Sequence, residues 1–113
     1  MENKRRYPRY AESLEAAYEV GAGAAARLEQ SSTVNISRGG CTLRMEGAER
    51  PGTRILVHLC LAGDEEVSIL GTVVWVREAF CGQHGALGVA FDPEQALPPA
   101  FADLLGALER AST

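Results

Sequence analysis

Apolar and polar residues alternate with a period of two along much of residues 13–91, and this alternation constrains the fold more than any other feature of the sequence. Residues 41–46 show it most clearly, with three apolar side chains on one face: Cys41, Leu43 and Met45. Successive side chains of a β-strand point to opposite faces, so the pattern predicts strands with one buried face. Residues 13–20 alternate in the same way, although a helix could also group Leu14 with Tyr18.

Further stretches between residues 24 and 91 have strand character. In residues 24–36 the alternation places five apolar residues on the expected inner face: Ala24, Ala26, Leu28, Val34 and Ile36. Residues 54–61 and 67–76 are rich in β-branched and apolar side chains, which suggests the most enclosed strands of a sheet, and residues 86–91 supply a short last strand. About six strands joined by short turns, without helical patterns between them, predict a mainly β protein, a small antiparallel β-barrel.

The pattern changes after the two prolines at 98–99. Four apolar residues follow at the spacing of one helical face: Phe101, Leu104, Leu105 and Leu108. Proline fits the first turn of a helix because the amide hydrogens there have no partner inside the helix. We therefore expect a single domain over residues 1–113, with an N-terminal arm at 1–12, a β-barrel at 13–96 and a C-terminal α-helix at 97–113 that closes one end of the barrel.

Charge is distributed unevenly along the chain. Residues 1–10 carry four basic side chains and one carboxylate, whereas the remaining residues carry seven basic and fourteen acidic side chains. An acidic body is a poor partner for long nucleic acid, which requires a broad basic surface, so the arm is a better match for a small anion. A solvated basic tail is the alternative interpretation of such a segment.

The sequence also predicts where the protein is found. It contains no apolar run of membrane-spanning length and no secretory signal, so we expect no membrane span. Its three cysteines are odd in number and widely spaced, which favours reduced thiols over a disulfide framework. We therefore expect a cytoplasmic protein.

Candidate catalytic sets are sparse. Neither His58, in an apolar strand pattern, nor His84, in a glycine-rich turn, has an acidic or nucleophilic neighbour placed beside it in the sequence. Cys81 and His84 have a zinc-like spacing, but a zinc site needs about four ligands and a second pair is not evident. Residues 21–26 read GAGAAA, which superficially matches a dinucleotide loop but is followed by strand signals. We expect a binding protein and not an enzyme, without catalytic residues, a metal site or a cofactor.

Residues 34–40, with the sequence VNISRGG, join two alternating strands through a turn at residues 38–40. Asn35 and Ser37 are two residues apart, so within a strand they face the same side, opposite the apolar residues. Two hydrogen-bonding side chains beside a glycine turn provide a place where a planar polar ligand can lie. The alternative is an ordinary hairpin rich in Asn and Ser. Trp75 is interpreted first as packing in the barrel wall, with a stacking platform for a ligand as its alternative.

The spacing Arg5-x-x-x-Arg9, followed by Asn35-x-Ser37-x-x-Gly40, resembles the PilZ domain family. Residues 71–76 (GTVVWV) and 88–91 (GVAF) are similar to the later strands of that family. The resemblance implies a six-stranded PilZ-like barrel that binds cyclic di-GMP, a bacterial second messenger. It also implies five ligand-binding residues, with the arginines on guanines and phosphates and the others on a guanine and its phosphate surface: Arg5, Arg9, Asn35, Ser37 and Gly40. Weaker candidates lie beside the two motifs: Lys4, Arg6, Arg38 and Gly39.

The residue types suit this role. A guanidinium group can hydrogen-bond guanine O6 and N7, bind phosphate or stack on a purine face. Asn35 stands where many PilZ relatives have aspartate, so it brings no negative charge to the paired N–H donors of a guanine. The arm lacks strong helix or strand signals, and we expect it to be flexible and to close over the ligand, which changes the surface offered to an unidentified effector protein.

Two other functions are compatible with the same sequence. The first is a PilZ-like adaptor that works through protein contacts and has little or no nucleotide affinity. The second is a binder of single-stranded nucleic acid, although that function normally requires aromatic platforms and a basic groove. The presence of both motifs favours the receptor.

Overall fold

The computed structural model describes residues 7–21, 26–45 and 47–112. Six strands are present within these residues: β1 (Glu15–Val20), β2 (Arg27–Ile36), β3 (Gly40–Met45), β4 (Arg54–Cys60), β5 (Glu66–Arg77) and β6 (Gly85–Phe91). Every hydrogen-bonded pair of strands is antiparallel, and the pairs close a barrel in the order β1-β2-β3-β6-β5-β4. The predicted six-stranded antiparallel barrel is confirmed.

Alternation along the strands fills the barrel interior with apolar side chains. Six of the largest fully buried side chains come from six different strands: Tyr18, Ile36, Leu43, Leu59, Ile69 and Leu87. The expectation that residues 54–61 and 67–76 lie in the most enclosed part of the sheet is wrong. Cys60 of the first stretch is exposed, and Leu70 and Val74 of the second are 44% and 52% exposed. A barrel made of one sheet keeps the outer face of each strand in contact with solvent, even where that strand is apolar on both faces.

The predicted inner face of residues 24–36 is also wrong in part. Leu28 and Val34 are exposed, whereas Thr33 is 2% exposed and Ile36 is fully buried. The pairing of β2 with β3 shifts between Thr33 and Asn35, which places Val34 in a β-bulge. One extra residue on one strand offsets the period of two, so the sequence alternation does not continue through the bulge.

The described part of the N-terminal arm is attached to β2. The backbone amide of Tyr10 donates to the carbonyl of Ile36 at 2.9 Å, and the amide of Ile36 donates back to Tyr10 at the same distance. Further along, the Leu14 amide donates to the Thr33 hydroxyl at 2.8 Å. These bonds fix the chain against the barrel wall from Tyr10 onward. Residues 1–6, on which the rest of the arm prediction falls, lie outside the described residues.

The C-terminal helix α1 runs over Pro99–Ala111 and confirms the predicted helix. Phe101 and Leu105, from the predicted apolar stripe, are buried and join the barrel core. The ring of Phe101 meets the ring of Phe91 edge-on, with centroids 5.9 Å apart. Because Phe91 ends β6, this contact seats the helix where that strand leaves the barrel. Among the described residues, α1 is too short and too polar to cross a bilayer as a helix.

Candidate ligand-binding site

Arg9 joins the arm to the second sequence motif. Its Nη1 atom donates to Asn35 Oδ1 at 3.0 Å and to Thr42 Oγ1 at 3.3 Å, so one guanidinium nitrogen bridges side chains of β2 and β3. Both acceptors are neutral, and within the described ranges no carboxylate pairs with Arg9. The guanidinium is therefore held in place on the outer wall while its charge remains available to an anion.

A second contact brings the arm to the glycine turn. The aromatic ring of Tyr7 lies over Gly39, where a β-carbon would stand 3.2 Å from Tyr7 Cδ2. Tyr7 remains 44% exposed, so its ring covers the turn and still contacts solvent. The arm thus contacts the turn through Tyr7, and it contacts the two strands that the turn joins through Arg9.

Ser37 does not share the outward direction of Asn35, and that part of the sequence prediction is wrong. Ser37 is 5% exposed, and its Oγ accepts hydrogen bonds from the backbone amides of Gly39 and Gly40 at 3.2 Å each. The same hydroxyl donates to the Gly40 carbonyl oxygen at 3.2 Å. Ser37 follows the last residue of β2, so strand alternation no longer applies to it. Its hydroxyl closes the turn instead of projecting from the wall.

Gly40 is required by the close approach of two backbones. A β-carbon at Gly40 would lie 2.0 Å from the carbonyl oxygen of Val89, on the neighbouring strand β6. The Gly39 carbonyl in turn accepts a 2.9 Å hydrogen bond from the amide of Phe91. The turn therefore packs tightly against β6, while Arg38 at its tip is exposed.

The strand register extends the site across four strands. Asn35 of β2 lies opposite Thr42 of β3, Thr42 lies opposite Gly88 of β6, and Gly88 lies opposite Trp75 of β5. The indole of Trp75 lies over Gly88, where a β-carbon would be 2.1 Å from the indole Nε1. Trp75 is 37% exposed, which agrees with its interpretation as packing in the barrel wall and leaves part of its ring on the surface. We call the residues Asn35, Thr42, Gly88 and Trp75 the platform row.

Two β-bulges flank the platform row. One contains Val34, before Asn35 on β2, and the other contains Val74, before Trp75 on β5. Two contacts were not predicted from the sequence: the hydrogen bond from Arg9 to Thr42 and the packing of Trp75 on Gly88. A bulge depends on how two strands pair, so the period of one strand carries no signal for it.

The charge of Arg9 acts on a neighbouring thiol. Cys41 is fully buried, and burial raises the pKa of its thiol to about 12, with a smaller opposing effect from the positive charge of Arg9. Cys41 therefore stays protonated at neutral pH. All three cysteines are free, and the other two, Cys60 and Cys81, are exposed.

The remaining sequence candidates divide into two groups. Lys4, Arg5 and Arg6 lie outside the described residues. Arg38 and Gly39 lie in the turn itself.

Among the residues that the structure describes, no group of three metal-binding side chains is found. Cys81 and His84, which have a zinc-like spacing in the sequence, lie together near the tip of the β5–β6 hairpin.

Comparison with known proteins places these observations in a family. The model of the PilZ domain matches residues 3–98 of this chain. No protein with curated function matches it. Similar solved structures are the Bacillus subtilis inhibitor of motility MotI/DgrA, with a TM-score of 0.72 at 14% identity, and the PilZ domain of YcgR from Escherichia coli with c-di-GMP, with a TM-score of 0.68 at 16% identity. A third is the complex of MrkH with c-di-GMP from K. pneumonia, with a TM-score of 0.68 at 17% identity.

The extent of these matches differs between the proteins. Each match covers 97% or 98% of this chain. It covers 95% of the YcgR domain, but only 51% of MotI/DgrA and 57% of MrkH. This chain thus spans little more than half the length of two of its structural relatives. At identities this low, the structural matches establish the shared fold alone. The family model covers most of the sequence, and the chain therefore belongs to the PilZ domain family.

Proposed function

We propose that this PilZ domain is a receptor for cyclic di-GMP in the bacterial cytoplasm and that it acts by binding, without catalysis. The observation that supports it most directly is the position of Arg9, whose guanidinium is held at the platform row and pairs with no carboxylate of the described residues. Two of the similar structures, of YcgR and MrkH, contain c-di-GMP. A dianionic ligand also accounts for the local basic charge on an otherwise acidic chain.

In the proposed complex, Arg9 keeps its place beside Asn35 and turns its remaining N–H groups to a phosphate or to a guanine edge. Guanidinium groups make paired hydrogen bonds to both kinds of acceptor. The Asn35 side chain lies next to the Arg9 guanidinium and accepts from a guanine N–H. Ser37 and Gly40 act through the shape of the turn, because their polar groups are bonded to each other.

The platform row gives the ligand a floor that ends in an aromatic ring. Thr42 and Gly88 are themselves buried, because Arg9 bonds to Thr42 and the Trp75 indole lies over Gly88. A planar base would therefore pack against the Arg9 guanidinium and the indole. The exposed part of the Trp75 indole is available to stack on that base. Stacking of a base on an aromatic side chain contributes about 1–3 kcal/mol in nucleic-acid complexes.

The first six residues supply the rest of the proposed grip, with Arg5 as the main contact and Lys4 and Arg6 as additional phosphate contacts. Ordering about six residues costs on the order of 6–12 kcal/mol of backbone entropy. Several charge-assisted hydrogen bonds, at roughly 1.5–3 kcal/mol each, are needed to offset that cost. The chain already contacts the barrel at Tyr7, Arg9 and Tyr10, so this cost does not apply from Tyr7 onward.

The proposal is tested by calorimetric titration with cyclic di-GMP, with GTP as the control nucleotide. We expect saturable binding of cyclic di-GMP, a rise in thermal midpoint that grows with ligand concentration, and neither effect with GTP. The molar ratio at saturation shows whether the chain binds one molecule of cyclic di-GMP or two. A chain that binds neither nucleotide would contradict the receptor function.

Substituting Arg9→Ala should reduce the affinity for cyclic di-GMP by at least about 100-fold, because two or more charge-assisted hydrogen bonds are lost together. The same titration measures this loss, and Arg50→Ala, at an exposed arginine, is the control for a change in net charge. Wild-type affinity in Arg9→Ala would exclude the proposed role of the arm.

One observation favours a second function, that of a protein adaptor with little nucleotide affinity. The described motif residues already bond one another: Arg9 to Asn35, and Ser37 to Gly40. In an adaptor these bonds serve only to hold the arm and the turn. The titration distinguishes the two functions, since an adaptor shows no heat of binding with cyclic di-GMP although it still engages an effector protein.

A further inference from the structure

A second surface lies on the wall opposite the platform row. We call the boundary between two paired strands a seam. In the closed barrel the β1–β4 seam lies opposite the β3–β6 seam, three strands away in either direction. Across the β1–β4 seam the register places Glu19 between Leu28 of β2 and Leu56 of β4, and Leu56 beside Leu70 of β5. Leu28 and Leu70 are 56% and 44% exposed. Three leucines thus form an outward row that only Glu19 interrupts.

A cavity of 460 Å³ adjoins this leucine row. Ala17 forms its floor, between the longer side chains of Gln30 on β2 and His58 on β4. The His58 ring is held on both sides, with Nδ1 2.8 Å from Ser68 Oγ and Nε2 3.0 Å from Glu19 Oε1. Because a small residue sits between larger ones and the histidine is fixed by two hydrogen bonds, the depression exists before any partner binds.

The cavity is acidic. Its lining includes three carboxylates, Glu15, Glu19 and Glu66, and no lysine or arginine. Within residues 7–21, 26–45 and 47–112, Glu15 and Glu66 form no ion pair. An arginine or lysine side chain from another molecule would therefore meet carboxylates whose charge is not already neutralised.

We propose that this wall docks a basic amphipathic helix of another protein, with leucine-like side chains on the leucine row and lysines or arginines in the acidic cavity. A closed barrel has no free strand edge to which an extended peptide can add by backbone hydrogen bonds. Leu70 and Glu66 are four residues apart on one strand, roughly 13 Å. A helix spans that distance in about eight or nine residues, so one helical face reaches both.

The position of this surface allows two ligands at once. A helix on the β1–β4 seam leaves the platform row on the β3–β6 seam uncovered. Docking of a helix on this wall does not require bound cyclic di-GMP, so it can be tested separately from the receptor function.

The test is an NMR titration of the full chain, labelled with ¹⁵N, with two synthetic amphipathic peptides of about 16 residues, long enough to form a helix on a surface. Both carry the same leucine stripe; one has lysine and the other glutamate at the remaining positions. We expect the lysine peptide to shift the amide signals of β1 and β4 and the glutamate peptide to leave them unchanged. Shifts centred on another wall would overturn the proposal.

Charge neutralisation distinguishes a specific site from diffuse attraction. Replacing Glu15→Gln together with Glu66→Gln should weaken binding of the lysine peptide at least tenfold. The matched control replaces Glu78→Gln and Glu94→Gln, two exposed carboxylates outside the cavity, with the same change in net charge. Equal weakening in both pairs would overturn the site. Concentration-dependent shifts of the same amides without peptide would also overturn it, because the occupant would then be a second copy of this chain.

Discussion

Arg9 is the residue on which the candidate site is built, and its two acceptors determine how it can act. A long side chain normally loses rotamer freedom when it grips a ligand. Here two hydrogen bonds, to Asn35 and Thr42, restrict the guanidinium. Thr42 is 5% exposed and belongs to β3, so its hydroxyl is a fixed support.

Thr42→Val should therefore weaken binding of cyclic di-GMP, because valine keeps the shape of threonine and removes the acceptor for Arg9. The loss of one hydrogen bond, about 0.5–1.5 kcal/mol, corresponds to roughly a two- to twelvefold change in Kd. Titration calorimetry measures it, and Thr42→Ser, which retains the hydroxyl, should bind nearly as the wild type does. Equal affinities in the Val and Ser variants would show that Thr42 has no part in positioning Arg9.

The three cysteines should differ in reactivity because one is buried and two are exposed. Burial raises the pKa of Cys41 to about 12 and also shields it, whereas Cys60 and Cys81 are exposed. A disulfide reagent absorbing in the visible range should modify two thiols of the folded chain at pH 8 and the third only on addition of denaturant. Fast modification of Cys41 in the folded chain, detected by mass spectrometry of peptides, would contradict its burial.

At the scale of elements, the pairing of β5 with β6 determines where Trp75 lies. The bulge at Val74 puts Trp75 opposite Gly88, and the absence of a side chain on Gly88 allows the indole to lie on β6. Glycine in a strand often marks such a close approach. The aromatic surface of the platform row therefore requires both strands: β5 supplies Trp75, and β6 supplies the glycine on which its indole lies.

Gly88→Ala should displace the indole, because the new β-carbon would be 2.1 Å from its Nε1 atom. Trp75 is the single tryptophan, so intrinsic fluorescence reports its surroundings alone. We expect emission shifted to longer wavelength and a weaker response to cyclic di-GMP. Gly106→Ala on α1 is the control and should leave the emission unchanged. An unchanged spectrum in Gly88→Ala would mean that the indole does not rest on β6.

For the molecule as a whole, the sequence was sufficient to predict the barrel and the helix, since both follow from periodic burial along the chain. The face of Val34 and the direction of Ser37 could not be predicted in this way. Val34 sits in a bulge defined by two strands, and Ser37 lies beyond the end of β2, where the turn's own hydrogen bonds decide its orientation. Predicting these two orientations requires knowing how distant segments pair and how the turn bonds to itself. The period of a single strand does not contain that information.

One ion pair connects distant parts of the barrel and gives stability a dependence on pH. Arg54 of β4 makes two hydrogen bonds, at 2.6 and 2.7 Å, to Asp92, which follows β6. The hydrogen bonds to Arg54 lower the pKa of Asp92. A carboxyl whose pKa falls on folding stabilises the folded chain above its ordinary pKa of about 3.9, and that contribution is lost as the pH falls through the lowered value.

Asp92→Asn should accordingly lower the thermal midpoint at pH 7, and the difference from wild type should narrow progressively below about pH 4. Circular dichroism melts over a pH series measure it. Asp103→Asn, at an exposed carboxyl on α1, serves as the control. A difference that stays constant over the whole series would show that the charge of Asp92 does not contribute.

The fastening of the chain at Tyr10 has a practical consequence for building a reporter. Nine residues separate Tyr10 from a fluorescent protein fused ahead of residue 1, and nine extended residues reach about 30 Å, so the fusion would stay within that distance of Tyr10. If ligand binding draws the first residues onto the barrel, the fused fluorophore moves with them, and its energy transfer to a dye on Cys60 or Cys81 would change with ligand concentration. If the proposed receptor function is correct, a fusion ahead of residue 1 turns the purified chain into a fluorescent sensor of cyclic di-GMP.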